Sequence, residues 1–331
     1  MRLMTEVNTN VWALPYIDQP LEFWEHLSQS WGDHIKEVYF PLDPGVIGSG
    51  RPSLPSAHMS EFLQSGPVPK AALLNAVTLP GPVKSTAGAV IEELRRLHGQ
   101  YGLAGATVAN LKLAEEVHAA LPDLPLTASV LMDITQPNQA LMINDVCEVL
   151  VPGARVMRNL PALRDLKIAF KGRIRLLVNE ACLSACPYRL QHFHEMCTGV
   201  AEPESLCDSL LDREPWMRLT GAWVTPQYLH HFDGVFDELK LAGRATLEEP
   251  QRYLEVFGAY VRREPLLPCD IGGGPASVLE PIDMPEELYL FTLHCGQRCH
   301  ECRRCEDHYQ TALAQLPPIA LTPAANREER L

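Results

Sequence analysis

Four cysteines in the segment CGQRCHECRRC form the densest group of metal-ligand side chains in the chain. They are Cys295, Cys299, Cys302 and Cys305. Three thiols separated by two residues each can bind different irons of one cubane, and ferredoxin-type loops use such short spacings. A structural zinc site usually has two CxxC pairs well apart, because four ligands must surround one ion. The spacing therefore favours a 4Fe–4S cluster, with zinc as the lesser alternative.

The first three of these cysteines also match CxxxCxxC, the cluster motif of radical S-adenosylmethionine enzymes. In those enzymes the motif follows the first strand and one iron stays open. Here the motif lies far from the first predicted strand, Cys305 can fill the last iron, and Glu301 stands where an aromatic residue is usual. The match is therefore weak. Unligated thiols are also disfavoured, since exposed thiols in a basic segment would oxidise readily.

A second cysteine group follows a predicted strand in the segment NEACLSACPYR, which begins at Asn179 and Glu180 and contains Cys182 and Cys186. In a barrel of parallel strands, the carboxyl ends of the strands form the reactive face. These side chains are therefore predicted to take part in chemistry. The alternative is that both thiols are small buried hydrophobes, and that alternative is preferred for Cys147, Cys197 and Cys269, which belong to no motif.

A third feature is the segment FDELKLAGR, in which charged and apolar residues alternate. Leu239 and Leu241 suit the outer face of a strand, which turns Glu238 and Lys240 into the barrel interior. Buried charges are costly unless they are matched. Two alternatives are open: Glu238 and Lys240 form a structural ion pair with each other, for which Arg175 is also available, or they contact an anionic substrate.

The elements that must position these residues alternate between short apolar runs and amphipathic helices through residue 264. Strands are predicted at 36–40, 71–77, 105–110, 126–131, 148–151, 173–179, 219–224 and 235–243. Eight such repeats indicate an α/β protein with a (β/α)8 TIM-like barrel rather than an open sheet. No GxGxxG motif follows the first predicted strand, which argues further against a dinucleotide-binding sheet. Residues 1–264 are predicted to form the barrel, and residues 265–331 a Cys-rich extension packed on it.

The composition and charge of the chain limit the kinds of molecule that it can be expected to bind. The 331 residues include 28 Lys and Arg against 41 Asp and Glu, a net charge of −13, which disfavours general nucleic-acid binding. No apolar run is long enough to span a membrane, and the amino-terminal residues lack a secretory h-region. We therefore expect a cytoplasmic protein, in which ten cysteines serve as metal or redox ligands before disulfides.

Together these stretches resemble peptidase family U-32 (U32), the collagenase-like family. LVNEACLSACPYRLQHF looks like the family's strand and Cys-containing loop, and WVTPQYLHHFDGVFDELKLAGR looks like its Pro-containing turn, helix and signature strand. The match runs from about Leu160 to Val261 and more loosely through the tail. The resemblance implies a barrel that binds a 4Fe–4S cluster through core cysteines.

Carried over residue by residue, Cys182, Cys186 and Cys207 match the family's ligands, and the signature strand corresponds to Lys240, Gly243 and Arg244. The fourth core ligand is open: Cys197, Cys269 or a tail thiol could supply it. The chain could therefore hold two clusters, or one that the barrel and tail share.

Three functions are considered. The first is an iron–sulfur redox enzyme for oxygen-independent hydroxylation, or related modification, of a small or peptide-borne substrate, as in U-32 members that act on ubiquinone precursors or RNA bases. Its candidate catalytic residues are Asn179, Glu180, Lys240 and Arg244. The second is a peptidase with Cys186 as nucleophile and His192 or His194 as base. The third is a non-catalytic electron-transfer subunit paired with a partner of the same family.

Overall fold

Eight parallel strands close into a barrel in the order in which they occur in the chain. The structure is a computed structural model that describes residues 11–42, 46–47, 56–180, 182–198, 207–243, 247–271 and 281–317. The strands are β1 Trp12–Pro15, β2 Ile35–Pro41, β3 Lys70–Leu74, β4 Gly105–Val108, β5 Leu126–Ala128, β6 Val149–Leu150, β7 Arg173–Leu177 and β8 Glu238–Lys240. β8 pairs with β1 through Leu239 and Trp12, which closes the cylinder. The predicted (β/α)8 fold is confirmed.

Helices follow each strand and cover the outside of the barrel. They are α1 Leu21–Trp31, α2 Met59–Ser65, α3 Val83–Tyr101, α4 Leu111–Ala120, α5 Pro137–Ile143, α6 Leu160–Ala169, α7 Arg189–Thr198, α8 Asp208–Arg213 and α9 Pro250–Arg262. In α3 the side chains of Val90, Leu94 and Leu97 recur every three or four residues and are buried on one face. Gly102 ends that helix with φ of 67°, a left-handed conformation that glycine adopts at little cost.

The sequence prediction assigns one strand wrongly and misses another. The true first strand, Trp12–Pro15, has only four residues, too few to show the alternation that identifies a strand. The predicted strand at 219–224 lies outside the barrel, because a 3-10 helix occupies Pro215–Thr220. Ala222 then donates a backbone hydrogen bond to the Cys182 carbonyl. This segment is apolar because it packs beneath the loop that leaves β7.

Beyond the barrel, two further helices, α10 Glu286–Thr292 and α11 Arg304–Leu313, pack against it. The Tyr228 hydroxyl donates to the Met284 carbonyl at 2.9 Å. Tyr309 of α11 is buried with Leu219 and Ile282. These contacts bring the Cys-rich segment next to residues 215–224. In the described part of the chain, no helix is long and apolar enough to cross a membrane.

Candidate functional site

The four tail cysteines line one pocket. Cys295 follows α10, Cys299 and Cys302 lie in the connecting loop, and Cys305 is in the first turn of α11. The loop turns back on itself at Gly296, whose φ of 62° suits glycine. The sequence motif therefore folds so that all four thiols face the same space.

The thiols in this pocket influence one another electrostatically. Burial raises the pKa of Cys305 to about 11; nearby Arg158 opposes the increase, and the other three thiols add to it. Burial also raises the pKa of Cys299, with further contributions from Cys295 and Cys302. Four thiolates this close repel each other, so they can all be ionised only around a cation or metal centre.

Four cysteine thiols are a donor set that fits either a 4Fe–4S cluster, in which each cysteine binds a different iron, or a structural zinc ion.

A second group of thiols, which we call the barrel-mouth cysteines, consists of Cys182, Cys186 and Cys207. They lie in the loop after β7 and just before α8. Cys186 and Cys207 contact the same small hydrophobic cluster around Leu183 and Leu211. Cys182 directly precedes Leu183, and its carbonyl accepts the Ala222 amide hydrogen bond at 3.0 Å. The structure therefore brings these three sequence-predicted ligands into one region.

This loop also connects the two cysteine groups. Ser184 stands between Cys182 and Cys186 in sequence, lines the tail pocket and donates from Oγ to the Thr220 carbonyl at 3.0 Å. Cys269 packs in the same small cluster as Cys305. The tail pocket and the barrel-mouth thiols are therefore neighbours in space.

A charged network fills the barrel interior. Arg175 donates from Nε and Nη2 to Glu238 Oε2, at 2.8 and 2.6 Å, and from Nη1 to Glu37 Oε1 at 2.6 Å. Arg173 Nε donates to the other Glu238 oxygen at 2.6 Å. Burial would raise the pKa of Glu238, but the charge and hydrogen bonds of Arg175 outweigh it and lower that pKa. Of the two alternatives, Glu238 therefore follows the structural one, with Arg175 as its partner; the role of Lys240 stays a prediction.

Sequence reasoning missed Glu37, although a signal was present. In β2 successive side chains point to opposite faces of the strand, so Glu37 and Tyr39 lie on the same face. Placing Tyr39 toward the barrel interior would therefore also have placed Glu37 there.

Lys240 lies further along β8, toward the carboxyl end. Its Nζ is 3.7 Å from the centre of the Tyr39 ring, and the Tyr39 hydroxyl donates to the Leu241 carbonyl at 2.7 Å. The side chain is buried, so its ammonium is held against an aromatic face rather than in solvent. Arg244, the remaining candidate on this segment, lies outside the described residues.

Asn179 and Glu180 lie at the carboxyl end of β7. Asn179 Nδ2 donates to the Ala242 carbonyl at 3.0 Å, and its Oδ1 accepts from the Ala242 amide at 2.6 Å. Glu180 accepts from the Cys182 amide at 3.1 Å, and its other oxygen is 3.9 Å from Arg189 Nη2. Asn179 thus links the ends of β7 and β8, while Glu180 orients the cysteine loop.

Comparison with known proteins adds one sequence relative and one informative solved structure. No family model matches the chain. The uncharacterized protease MJ1657 of Methanocaldococcus jannaschii is 23% identical over 181 residues, 48% of this chain and 51% of that protein. This chain therefore spans about half the length of the curated relative it matches. The solved structure of the U32 peptidase Mk0906 aligns with a TM-score of 0.52 and 15% identity, covering 73% of this chain and 96% of that one. The chain resembles the U32 peptidases.

The U32 resemblance expected from the motifs is confirmed, and the structural match shows the shared barrel fold. A second solved structure, the YdjI aldolase from Escherichia coli K12, aligns with a TM-score of 0.39, 10% identity, and coverage of 92% of this chain and 94% of that chain. That score is too low to support an argument.

The histidines predicted to assist a thiol nucleophile both lie in α7. His194 Nδ1 lies 3.0 Å from the Thr78 hydroxyl, and the His192 ring contacts Phe193. In the described part of the chain, no hydrogen bond joins the Cys186 thiol to His194. A thiol nucleophile needs such a base within hydrogen-bond reach, although that distance can be longer before substrate binds.

Two neighbouring histidines share one carboxylate partner. His231 Nε2 lies 2.9 Å from Glu286 Oε1, and His230 Nε2 lies 3.7 Å from the same oxygen. His230 is half exposed, whereas His231 is largely covered. The contact joins the 3-10 helix Pro226–Phe232 to the first turn of α10.

Proposed function

We propose that this U32-like barrel is an iron–sulfur redox protein that takes part in oxygen-independent hydroxylation, or a related modification, of a small or peptide-borne substrate. The observation that carries the proposal is the convergence of Cys295, Cys299, Cys302 and Cys305 on one pocket beside the carboxyl-terminal loops of the barrel. Four cysteines supply the complete ligand set of a 4Fe–4S cluster, and when bound the cluster supplies one-electron transfer.

The barrel-mouth thiols are the second part of the proposal. Cys182, Cys186 and Cys207 would supply three ligands for a further centre. Cys197, Cys269 or a tail thiol would supply its fourth ligand, and Cys269 packs in the same small cluster as Cys305. Cys197 instead packs against the main barrel core.

Substrate binding is assigned to the charged groups at the same end of the barrel. The buried Lys240 ammonium can bind a carboxylate or another anionic group, and a low-polarity surrounding strengthens that attraction. Glu180 can accept a proton or a hydrogen bond from the substrate, and Asn179 keeps the β7 and β8 ends in register. Arg244 is kept as a proposed anion contact.

Metal analysis of anaerobically purified protein tests the proposal. One cluster gives about four irons and four sulfides per chain and two clusters give about eight, with a broad visible absorption band and a paramagnetic signal after reduction. Zinc in place of iron, or protein with neither iron nor sulfide, would overturn the proposal.

Two cysteine variants then separate the possible arrangements. If the sites are independent, Cys182→Ala and Cys302→Ala each lose about half of the iron. If one cluster is shared, either change empties it. Cys147→Ala is the matched control, because that thiol lies next to the amino end of β6 and belongs to neither group.

A collagenase-like peptidase is the second candidate, favoured by the chain's likeness to two proteins named as a protease and a U32 peptidase. It predicts peptide hydrolysis that persists after iron removal and disappears in Cys186→Ala. Hydrolysis with that pattern would favour this candidate over the redox proposal.

An electron-transfer subunit is a variant of the first proposal. It predicts that the iron-loaded chain copurifies with a partner of the same family and shows no turnover alone. Turnover by the isolated chain would rule it out.

A further inference from the structure

Arg158 is a buried cation that lines the tail thiol pocket. It follows the 3-10 helix Ala154–Val156 and is 6% exposed. Its guanidinium carbon lies 4.4 Å from the centre of the Trp223 ring and 4.9 Å from that of Tyr289. Nη1 donates to the carbonyls of Leu219 and Gly221 at 2.8 and 2.9 Å. The side chain is therefore fixed in one position.

Among the described residues, no Asp or Glu oxygen lies within 4 Å of Arg158 to compensate its charge, and its Nε is buried without a hydrogen-bond partner. Nη2 contacts only the Thr292 hydroxyl and, at 3.6 Å, the Met284 sulfur. All its partners are neutral dipoles or rings, and a buried charge without a counter-charge is strongly destabilising.

Arg175 shows how the same fold treats a buried guanidinium elsewhere. It is 1% exposed and has two carboxylate partners, Glu37 and Glu238. Arg158 is similarly buried, and no carboxylate in the part of the chain that the structure describes pairs with it. The contrast indicates that Arg158 faces an anion that the amino-acid side chains alone do not provide.

The groups that share its pocket and can become anionic are the four tail thiols. A 4Fe–4S cluster with four thiolate ligands carries net negative charge in both its oxidised and reduced states, and more when reduced. We propose that Arg158 is the built-in counter-charge of the tail cluster and raises its reduction potential. This inference rests on the proposed function, since it needs that cluster to be present.

The direction of the effect follows from Coulomb's law. A fixed positive charge beside the cluster stabilises the more negative, reduced state more than the oxidised state. Because the Arg158 side chain is buried, solvent screens its charge only weakly. Arg158 therefore acts as a positioning and tuning residue rather than as a ligand.

A redox titration followed by electron paramagnetic resonance tests the inference in the full-length anaerobic protein. Arg158→Gln removes the charge but can still donate to the carbonyls, whereas Arg158→Lys keeps the charge. At a fixed potential we expect Arg158→Gln to lower the ratio of reduced to oxidised cluster about tenfold, which is ~59 mV for one electron. Arg158→Lys should restore most of that ratio.

Arg298→Gln is the matched control. Arg298 lines the same pocket, but it is exposed and donates to Glu301 at 2.7 Å. Solvent and that carboxylate screen its charge, so the reduced-to-oxidised ratio should change less than twofold. If wild-type protein holds two clusters, the titrations are made in the Cys182→Ala background, where the tail cluster alone is expected.

Each outcome has a distinct meaning. Wild-type protein without iron overturns the proposed function and this inference with it. A folded, iron-loaded Arg158→Gln protein with an unchanged ratio overturns this inference alone. If Arg158→Gln loses its iron while Arg158→Lys retains it, the charge requirement is supported. Loss from both variants would show that the hydrogen bonds of the guanidinium hold the pocket, and would also overturn it.

Discussion

Arg175 of β7 donates two hydrogen bonds to one oxygen of Glu238 on β8, from Nε at 2.8 Å and from Nη2 at 2.6 Å. The third interaction, with Glu37 of β2, connects strands that are far apart around the barrel. All three side chains are buried, so each depends on the others for charge balance. This network makes barrel stability sensitive to acid.

Stability should therefore fall at low pH because of Glu238. Its pKa is below the ordinary value of 4.5, so its ion pair contributes fully above that value and is lost as pH falls through the lower folded-state pKa. Glu238→Gln should reduce the free energy of unfolding at pH 7 by about 3–5 kcal/mol and weaken its dependence on pH below 4.5. Urea unfolding from pH 7 to pH 3 measures both effects.

The control is Glu93→Gln, which removes a partly exposed carboxylate that pairs with the exposed Arg96 on α3. Surface pairs of this kind contribute less than about 1 kcal/mol. Equal destabilisation by the two substitutions would contradict the importance assigned to the interior network.

Asn179 should affect stability whether or not it contacts substrate. Asn179→Ala removes both hydrogen bonds to Ala242 and leaves its buried amide without that partner, which costs about 1–3 kcal/mol. Asn179→Asp keeps the acceptor for the amide but buries a carboxylate against the Ala242 carbonyl, so it should cost at least as much. Thermal unfolding of the two variants ranks their stabilities. An unchanged melting temperature in Asn179→Ala would mean that the hydrogen bonds between Asn179 and Ala242 do not contribute to stability.

Thiol alkylation should distinguish the tail pocket from a simple packing cysteine. Burial raises the pKa of Cys147 to about 12, so at pH 8 only about one molecule in ten thousand carries that thiolate. Cys147 should remain unlabelled by iodoacetamide until the protein unfolds. Cys302 should be protected while iron is bound and become labelled after chelation.

Peptide mass spectrometry before and after iron removal reads out these sites. Rapid labelling of Cys302 in iron-loaded protein would contradict ligation by that residue, and labelling of folded Cys147 would contradict its burial.

Much of the fold could be predicted because local periodicity reports burial within one element. Seven of the eight barrel strands coincide with predicted apolar runs, and the alternation around Glu238 gave its inward direction. Prediction from periodicity failed where a strand was too short to show a pattern, or where apolar residues were buried for a reason other than membership of a barrel strand. Trp12–Pro15 is a short strand, and residues 221–224 are apolar because they pack under the cysteine loop.

The sequence by itself determined the alternation of strands and helices, the spacing of the tail cysteines and the U32 resemblance, because each of these depends on residues that are close together in the chain. Only the tertiary structure revealed Glu37 as the second partner of Arg175 and Arg158 as a cation facing the tail thiols. Arg158 belongs to no motif. Its neighbours come from distant segments that meet only when the barrel closes and α10 and α11 pack against it, so no local pattern could reveal its missing counter-charge.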